Sequence, residues 1–211
     1  MRFRILTRLN AHSSKPQASS PKWASTTLLT YFPRAAGTLE RLGELYGSTG
    51  KLKEASEACE EALEIRRQMA KRDPIAYRPS LAEALYSLAL LYVKAGKSVQ
   101  AEGAYIESLG IFRDLAKNEV AQYLPHVAKT LNNLALLYLN RDLLEQAQKC
   151  SEEALEIRRH LWNAAPSDHA NALAQTLIVQ AHILKERKTP CEGVVALAEE
   201  AERVVFVHVG G

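Results

Sequence analysis

At 211 residues and 47% apolar content the chain can bury a core, but 7% aromatic content is thin for a single compact one, and no apolar run approaches the ~18 residues of a membrane span. The formal net charge of +3 is unevenly placed: residues 1–39 hold six basic side chains and no acid, which leaves residues 40–211 at −3. A body that binds nucleic acid needs a basic face, so neither nucleic acid nor membrane is expected as a partner.

Residues 1–30 are rich in Ser, Thr and Arg and lack helical periodicity. They read as a disordered or leader-like segment on a cytoplasmic chain; the alternative is an organelle transit peptide. A secretory h-region is missing, because arginines interrupt Met1–Leu9. Three cysteines, Cys59, Cys150 and Cys191, show no CxxC spacing and read as reduced thiols.

From Tyr31 onward the chain repeats every 46 residues. EEALEIRR at Glu60–Arg67 recurs unchanged at Glu152–Arg159, and LALLY at Leu88–Tyr92 recurs at Leu134–Tyr138. The first columns are Leu39, Leu85, Leu131, Leu177; then Gly43, Ala89, Ala135, Ala181; then Tyr46, Tyr92, Tyr138, Leu184. Two further columns are Ala55, Ala101, Ala147, Gly193 and Leu63, Leu109, Leu155, Ala201, so the fourth copy is the most degraded. Repetition on this scale marks stacked supersecondary units, which manage with Leu and Ala because each packs only on its neighbours.

The copies run at about 33–78, 79–124, 125–170 and 171–207, and each divides into two amphipathic helices. The spacing predicts helices at 33–48, 52–71, 79–95, 98–117, 125–140, 143–163, 168–187 and 191–207. Pro33, Pro79 and Pro125 are read as helix starts, with Pro166–Ser167 serving the fourth copy, because a first-turn proline lacks an N–H that has no partner there. Trp23–Tyr31 fits the end of an earlier helix. Between the two helices of a copy, Gly50 and Gly96 are expected in the left-handed conformation, with Asn140 in that role in the third copy.

The pattern Leu-x-x-Leu-Gly/Ala-x-x-Tyr, then Ala, then Ala-Leu, resembles the tetratricopeptide repeat (TPR), whose usual period is 34. Here 12 extra residues per copy imply longer helices or links, and Leu stands where that family often has Trp. HVAKTLNNLALLY at His126–Tyr138 is similar to the kinesin-light-chain type and to bacterial long-repeat arrays. The resemblance implies an all-α, right-handed α-solenoid of about four antiparallel helix pairs, acting as a protein–protein interaction module. The alternative is an architectural segment of a longer array attached to a signalling or catalytic domain.

No catalytic constellation is present, and no enzyme, cofactor or metal site is expected. The six histidines show no HExxH or other ligand spacing, and there is no GxSxG or Gly-rich phosphate loop. Cys191, after Pro190 at a predicted helix start, is read as an incidental thiol rather than a reactive one. The glutamates of EEALEIRR are read as a solvated face.

The expected binding surface is the face of each first helix opposite its buried stripe. In copy three that stripe is Leu131, Leu134, Ala135 and Tyr138, leaving Lys129, Asn132, Asn133, Leu136, Leu139 and Asn140 outward. The same face gives Tyr86, Leu90, Val93 and Lys94 in copy two, Ile178, Val179, His182 and Lys185 in copy four, and Glu40 and Glu44 in copy one. The family resemblance implies that this face lines a concave groove where Asn side chains hydrogen-bond an extended partner peptide. An amide suits that task, offering donor and acceptor to any peptide unit. The full basic set of a carboxylate clamp is missing, which argues against a C-terminal acidic tail as ligand. Apolar residues at the ends, Trp23, Leu28, Leu29 and Tyr31 and then Val204–Val209, are expected to leave an exposed apolar surface at one or both ends, satisfied by self-association or by a continuation of the array.

Overall fold

The computed structural model describes residues 22–209, with side chains for 31–205. Among the described residues every regular element is a helix. In chain order these are α1 (Lys22–Ser48), α2 (Leu52–Arg72), α3 (Pro74–Lys94), α4 (Ser98–Ala116), α5 (Val120–Leu139), α6 (Leu144–Ala164), α7 (Pro166–Glu186) and α8 (Cys191–Val209). Residues 1–21, most of the leader-like stretch, lie outside the described residues. Residues 22–30 form the start of α1, which is one continuous helix and not an earlier helix followed by a new one at Pro33.

The first helix of each of the first three pairs starts earlier than its proline suggests. Pro79 and Pro125 sit inside α3 and α5, and Pro33 sits inside α1. The carbonyls that lose a bond to Pro79 and Pro125 are those of Ile75 and Ala121, exposed residues of the first turn where water can accept the role. The α3 start is set by Asp73 and Pro74: Asp73 Oδ1 accepts the Ala76 N–H at 3.0 Å, an N-cap followed by proline at the first helical position. Pro166 does open α7, as expected. The extra residues of the long period therefore lengthen the helices, α2 to α8 being 19–21 residues each, while only Asp73 links α2 to α3 and only Ala165 links α6 to α7.

The turn inside each pair repeats in register. Positive φ occurs at Gly50 (76°), Gly96 (71°), Asp142 (59°) and Lys188 (56°), one column of the 46-residue period. At each, the next N–H bonds back across the turn: Lys51 to Tyr46 O (2.9 Å), Lys97 to Tyr92 O (2.8 Å), Leu143 to Tyr138 O (2.9 Å) and Thr189 to Leu184 O (3.0 Å). This is the six-to-one bond of a Schellman cap. Asn140 is right-handed, at φ −65°, so the left-handed role in copy three falls to Asp142 and not to Asn140. The cap geometry fixes which position must turn, and a general Asn preference cannot move it. Lys188 has a Cβ where the first two copies have glycine, which strains the backbone. Lys188→Gly is expected to stabilise the protein by about 1 kcal/mol, read as a raised urea midpoint with unchanged slope.

The chain divides into two compact units, residues 1–84 and 85–211, with the boundary inside α3. In the first unit α1 packs on α2 around Phe32, Ala36, Ile65 and Met69, with Tyr77 and Leu39 partly buried beside them. In the second, α4 packs on α5, α5 on α6, α6 on α7 and α7 on α8, while α5 also meets α7 directly. The repeat columns form its core: Leu85, Leu131 and Leu177, and Ala89 and Ala135, are all buried. Leu155, Leu173, Leu177, Ala201 and Val204 close the C-terminal end. Val204 is thus 3% exposed and is a core residue, contrary to the expectation of an apolar end open to water. Tyr31 and Val205 are exposed, and the side chains of Trp23, Leu28, Leu29 and 206–209 lie outside the described residues.

Candidate binding face of the first helices

Of the residues assigned to the face, all but Glu40 and Glu44 belong to the second unit, on α3, α5 and α7 and in the turn after α5. Three columns stay open in each copy: Tyr86, Asn132, Ile178; Leu90, Leu136, His182; and Val93, Leu139, Lys185 are all half-buried or exposed. The intervening leucine and alanine columns are buried, so helical periodicity alone puts these three on one side. Val179 is the exception to the expected face, because it is 8% exposed and belongs to the core. Asn140 lies in the turn after α5, and His182 sits 3.7 Å from Glu186 on its own helix.

The structure brings Tyr86, Lys129 and Asn133 together. Asn133 Nδ2 donates to Tyr86 Oη at 2.6 Å, tying α5 to α3. Lys129 Nζ stands 4.7 Å from the centre of the Tyr86 ring, in cation–π range, and the Tyr86 and Tyr105 rings meet at 5.7 Å. Burial pushes the Tyr86 hydroxyl above its ordinary range, opposed by the hydrogen bond from Asn133 and by the charge of Arg158. Burial likewise pushes Tyr105 up. Asn133 is therefore a structural amide, already committed to the helix–helix contact, and the free amide of the pair is Asn132. Its Oδ1 is enclosed and has no hydrogen-bond partner.

Arg158, on α6, was not anticipated as part of the face. It is 8% exposed, and its Nε is enclosed without a hydrogen-bond partner. Burial pulls its pKa down, with Tyr86 acting against that. The signal was in the repeat. Arg158 occupies the column of Arg66, and Asn132 the column of Glu40. In the first unit Arg66 grips Glu40 with two parallel bonds, Nε to Oε1 at 2.9 Å and Nη2 to Oε2 at 2.8 Å. That bond raises the Arg66 pKa, the reverse of Arg158. Glu40 is consequently not a free acidic group for a ligand. The EEALEIRR glutamates are also less idle than a solvated face, since Glu153 is paired with Arg113 at 2.5 Å.

Glu102 accepts from Tyr138 Oη at 2.9 Å and from Arg141 Nη1, a network that braces the α4–α5 contact. Burial raises the Cys59 thiol to about 11, a value that keeps it protonated and inert near neutral pH. Cys191 is exposed at the first position of α8. Among the described residues no group of three or more His, Cys, Asp or Glu could hold a metal ion, and no helix is long and apolar enough to cross a membrane.

Tetratricopeptide repeat family models match residues 34–114 and 127–171, together more than half of the chain. The chain belongs to the tetratricopeptide-repeat family. Among solved structures, BtubC (BKLC) from P. vanneervenii is 26% identical with a TM-score of 0.69, over 90% of this chain and 75% of that one. The apo form of RapI has a TM-score of 0.65 at 15% identity, over 81% of this chain and 56% of that one, and at that identity shows the shared fold alone. No curated protein matches the chain significantly. The all-α helix-pair fold expected of a TPR chain is thus the observed one, and TPR folds serve generally as protein-interaction or scaffold elements.

Proposed function

We propose that this TPR chain is a protein-interaction module that binds an extended segment of a partner protein along the first-helix face of residues 85–185. The observation that carries this reading is the register of open columns. Tyr86, Asn132 and Ile178, with Leu90, Leu136 and His182, repeat at one helix-pair spacing and remain half-buried or exposed while the intervening leucine and alanine columns are buried. Leu90 and Val93 keep 36% and 38% of their surface in water, and Ile178 keeps 61%. A strip of accessible apolar groups interleaved with an amide offers both burial and main-chain hydrogen bonding to an extended chain.

The test uses peptides selected from a random display library against the full chain. Leu90→Ala with Asn132→Ala is expected to weaken the selected peptides by about tenfold or more, since each loses a buried contact or a hydrogen bond. Helicity and melting should be nearly unchanged, because Leu90 is exposed and Asn132 Oδ1 has no hydrogen-bond partner. Full affinity in that variant would place the binding site elsewhere. Asn133→Ala behaves differently: removing its bond to Tyr86 should cost about 0.5–1.5 kcal/mol of stability, so it is unsuitable as a binding probe.

A further inference from the structure

Two positions of the first and third copies share a repeat register and differ in one residue. The octapeptide EEALEIRR is identical in both, so Arg158 stands on α6 as Arg66 stands on α2. In the first copy the facing position on the preceding helix is Glu40, which neutralises Arg66 bidentately. In the third it is Asn132, which carries no charge. The arginine is retained and the acid is gone.

What remains is unusual for an interior. Arg158 is more than nine-tenths buried, its Nε has no hydrogen-bond partner, and no acid pairs with it among the described residues. Asn132 Oδ1 is enclosed and unpartnered as well. Even if the amide turned to accept from the guanidinium, it would supply no counter-charge, which an anion would. A second cation, Lys129, lies over the Tyr86 ring, and Tyr86 also opposes the fall in the Arg158 pKa.

We propose that Arg158, with Asn132 at the register position of Glu40, forms a subsite for one carboxylate, taking an Asp or Glu side chain of the bound partner segment. A planar carboxylate is the favoured occupant because the first copy already places one against the equivalent arginine, in the forked geometry that guanidinium matches. The subsite rests on the binding face proposed above, and adds to it a charge requirement at one position of the ligand. It differs from capture of a C-terminal tail, since it needs a side chain and uses one arginine.

The full chain is titrated with two pools of short fluorescent peptides, capped at both ends and randomised over Ala, Leu, Ser and Asn, with Glu fixed at the centre of one pool and Gln in the other. Capping removes terminal charge, so any difference reports the side-chain carboxylate. The Glu pool is expected to bind about tenfold tighter, as for a charge-assisted bond completed in a water-poor site. Arg158→Gln should abolish the difference. Asn132→Glu should abolish it too, because it rebuilds the ion pair of the first copy and fills the subsite from within. That second variant keeps the arginine and its packing, so the proposal stays testable where Arg158→Gln fails to fold. Equal binding of the two pools would overturn the subsite and leave the binding face standing. A Glu preference that survives in Asn132→Glu would also overturn the subsite. Binding of neither pool would overturn both.

Discussion

Replacing Leu131 by alanine is expected to cost ~2–5 kcal/mol, and Leu85→Ala a similar amount, because both remove a side chain that is 1% exposed and leave a cavity. The two residues occupy one repeat column with Leu177, so the costs should resemble each other more than those of two arbitrary core leucines. Within the second unit α5 packs on α4, α6 and α7, and the Leu131→Ala loss should therefore appear first as faster amide exchange in α5 and these neighbours. Glu64 and Glu156 also share a column, but both are exposed, and their alanine variants should lie within a few tenths of a kcal/mol of the parent. Urea unfolding of the four single variants checks both statements. A small effect at Leu131 would mean that the repeat period does not specify the core.

Gly43→Ala is expected to destabilise the first helix pair, although alanine is the residue of this column in every other copy. An added Cβ would stand 2.3 Å from Cys59 Sγ and 3.2 Å from the Ala55 carbonyl oxygen. Overpacking of this kind costs ~1–3 kcal/mol, more than the ~1 kcal/mol that alanine gains over glycine in a helix. The third copy shows the compensation, since Ala135 is matched there by Ser151 in the column of Cys59. The sign should therefore reverse in a Cys59→Ala background, where the nearest clash is removed and the helix-propensity gain remains. Melting of the four corners of this double-mutant cycle measures the coupling. Equal effects of Gly43→Ala in both backgrounds would contradict the packing described for α1 and α2.

The repeat was legible because its columns are filled by residues with one physical job each. Leu85, Leu131 and Leu177 are alike in identity and in burial, so periodicity alone located the core. The helix starts were harder, since Pro79 and Pro125 are conspicuous while the cap at Asp73 depends on a single side-chain bond. The left-handed position in the third copy was misplaced for a related reason. Asn140 has the higher general tendency, but the Schellman bond from Leu143 to Tyr138 requires the turn at Asp142. Following the column of Gly50 and Gly96 would have found it. Of the candidate face, Leu90, Leu136 and Asn132 could be read from helical spacing, whereas the Tyr86–Asn133 bond joins residues 47 apart and needed coordinates. Arg158 lies on a second helix, where periodicity marks only a buried stripe, and its signal in the sequence is the change from Glu40 to Asn132 in one repeat column.

The central claim is that the first-helix face of residues 85–185 holds an extended peptide, and side-chain amide and methyl resonances of the full chain test it most directly. On titration with a display-selected peptide, the Asn132 side-chain amide and the methyls of Leu90, Leu136 and Ile178 are expected to shift together and saturably. Ile106, exposed on α4 and outside the proposed face, should not move. Saturable shifts at Ile106 with Asn132, Leu90 and Leu136 unmoved would contradict the claim.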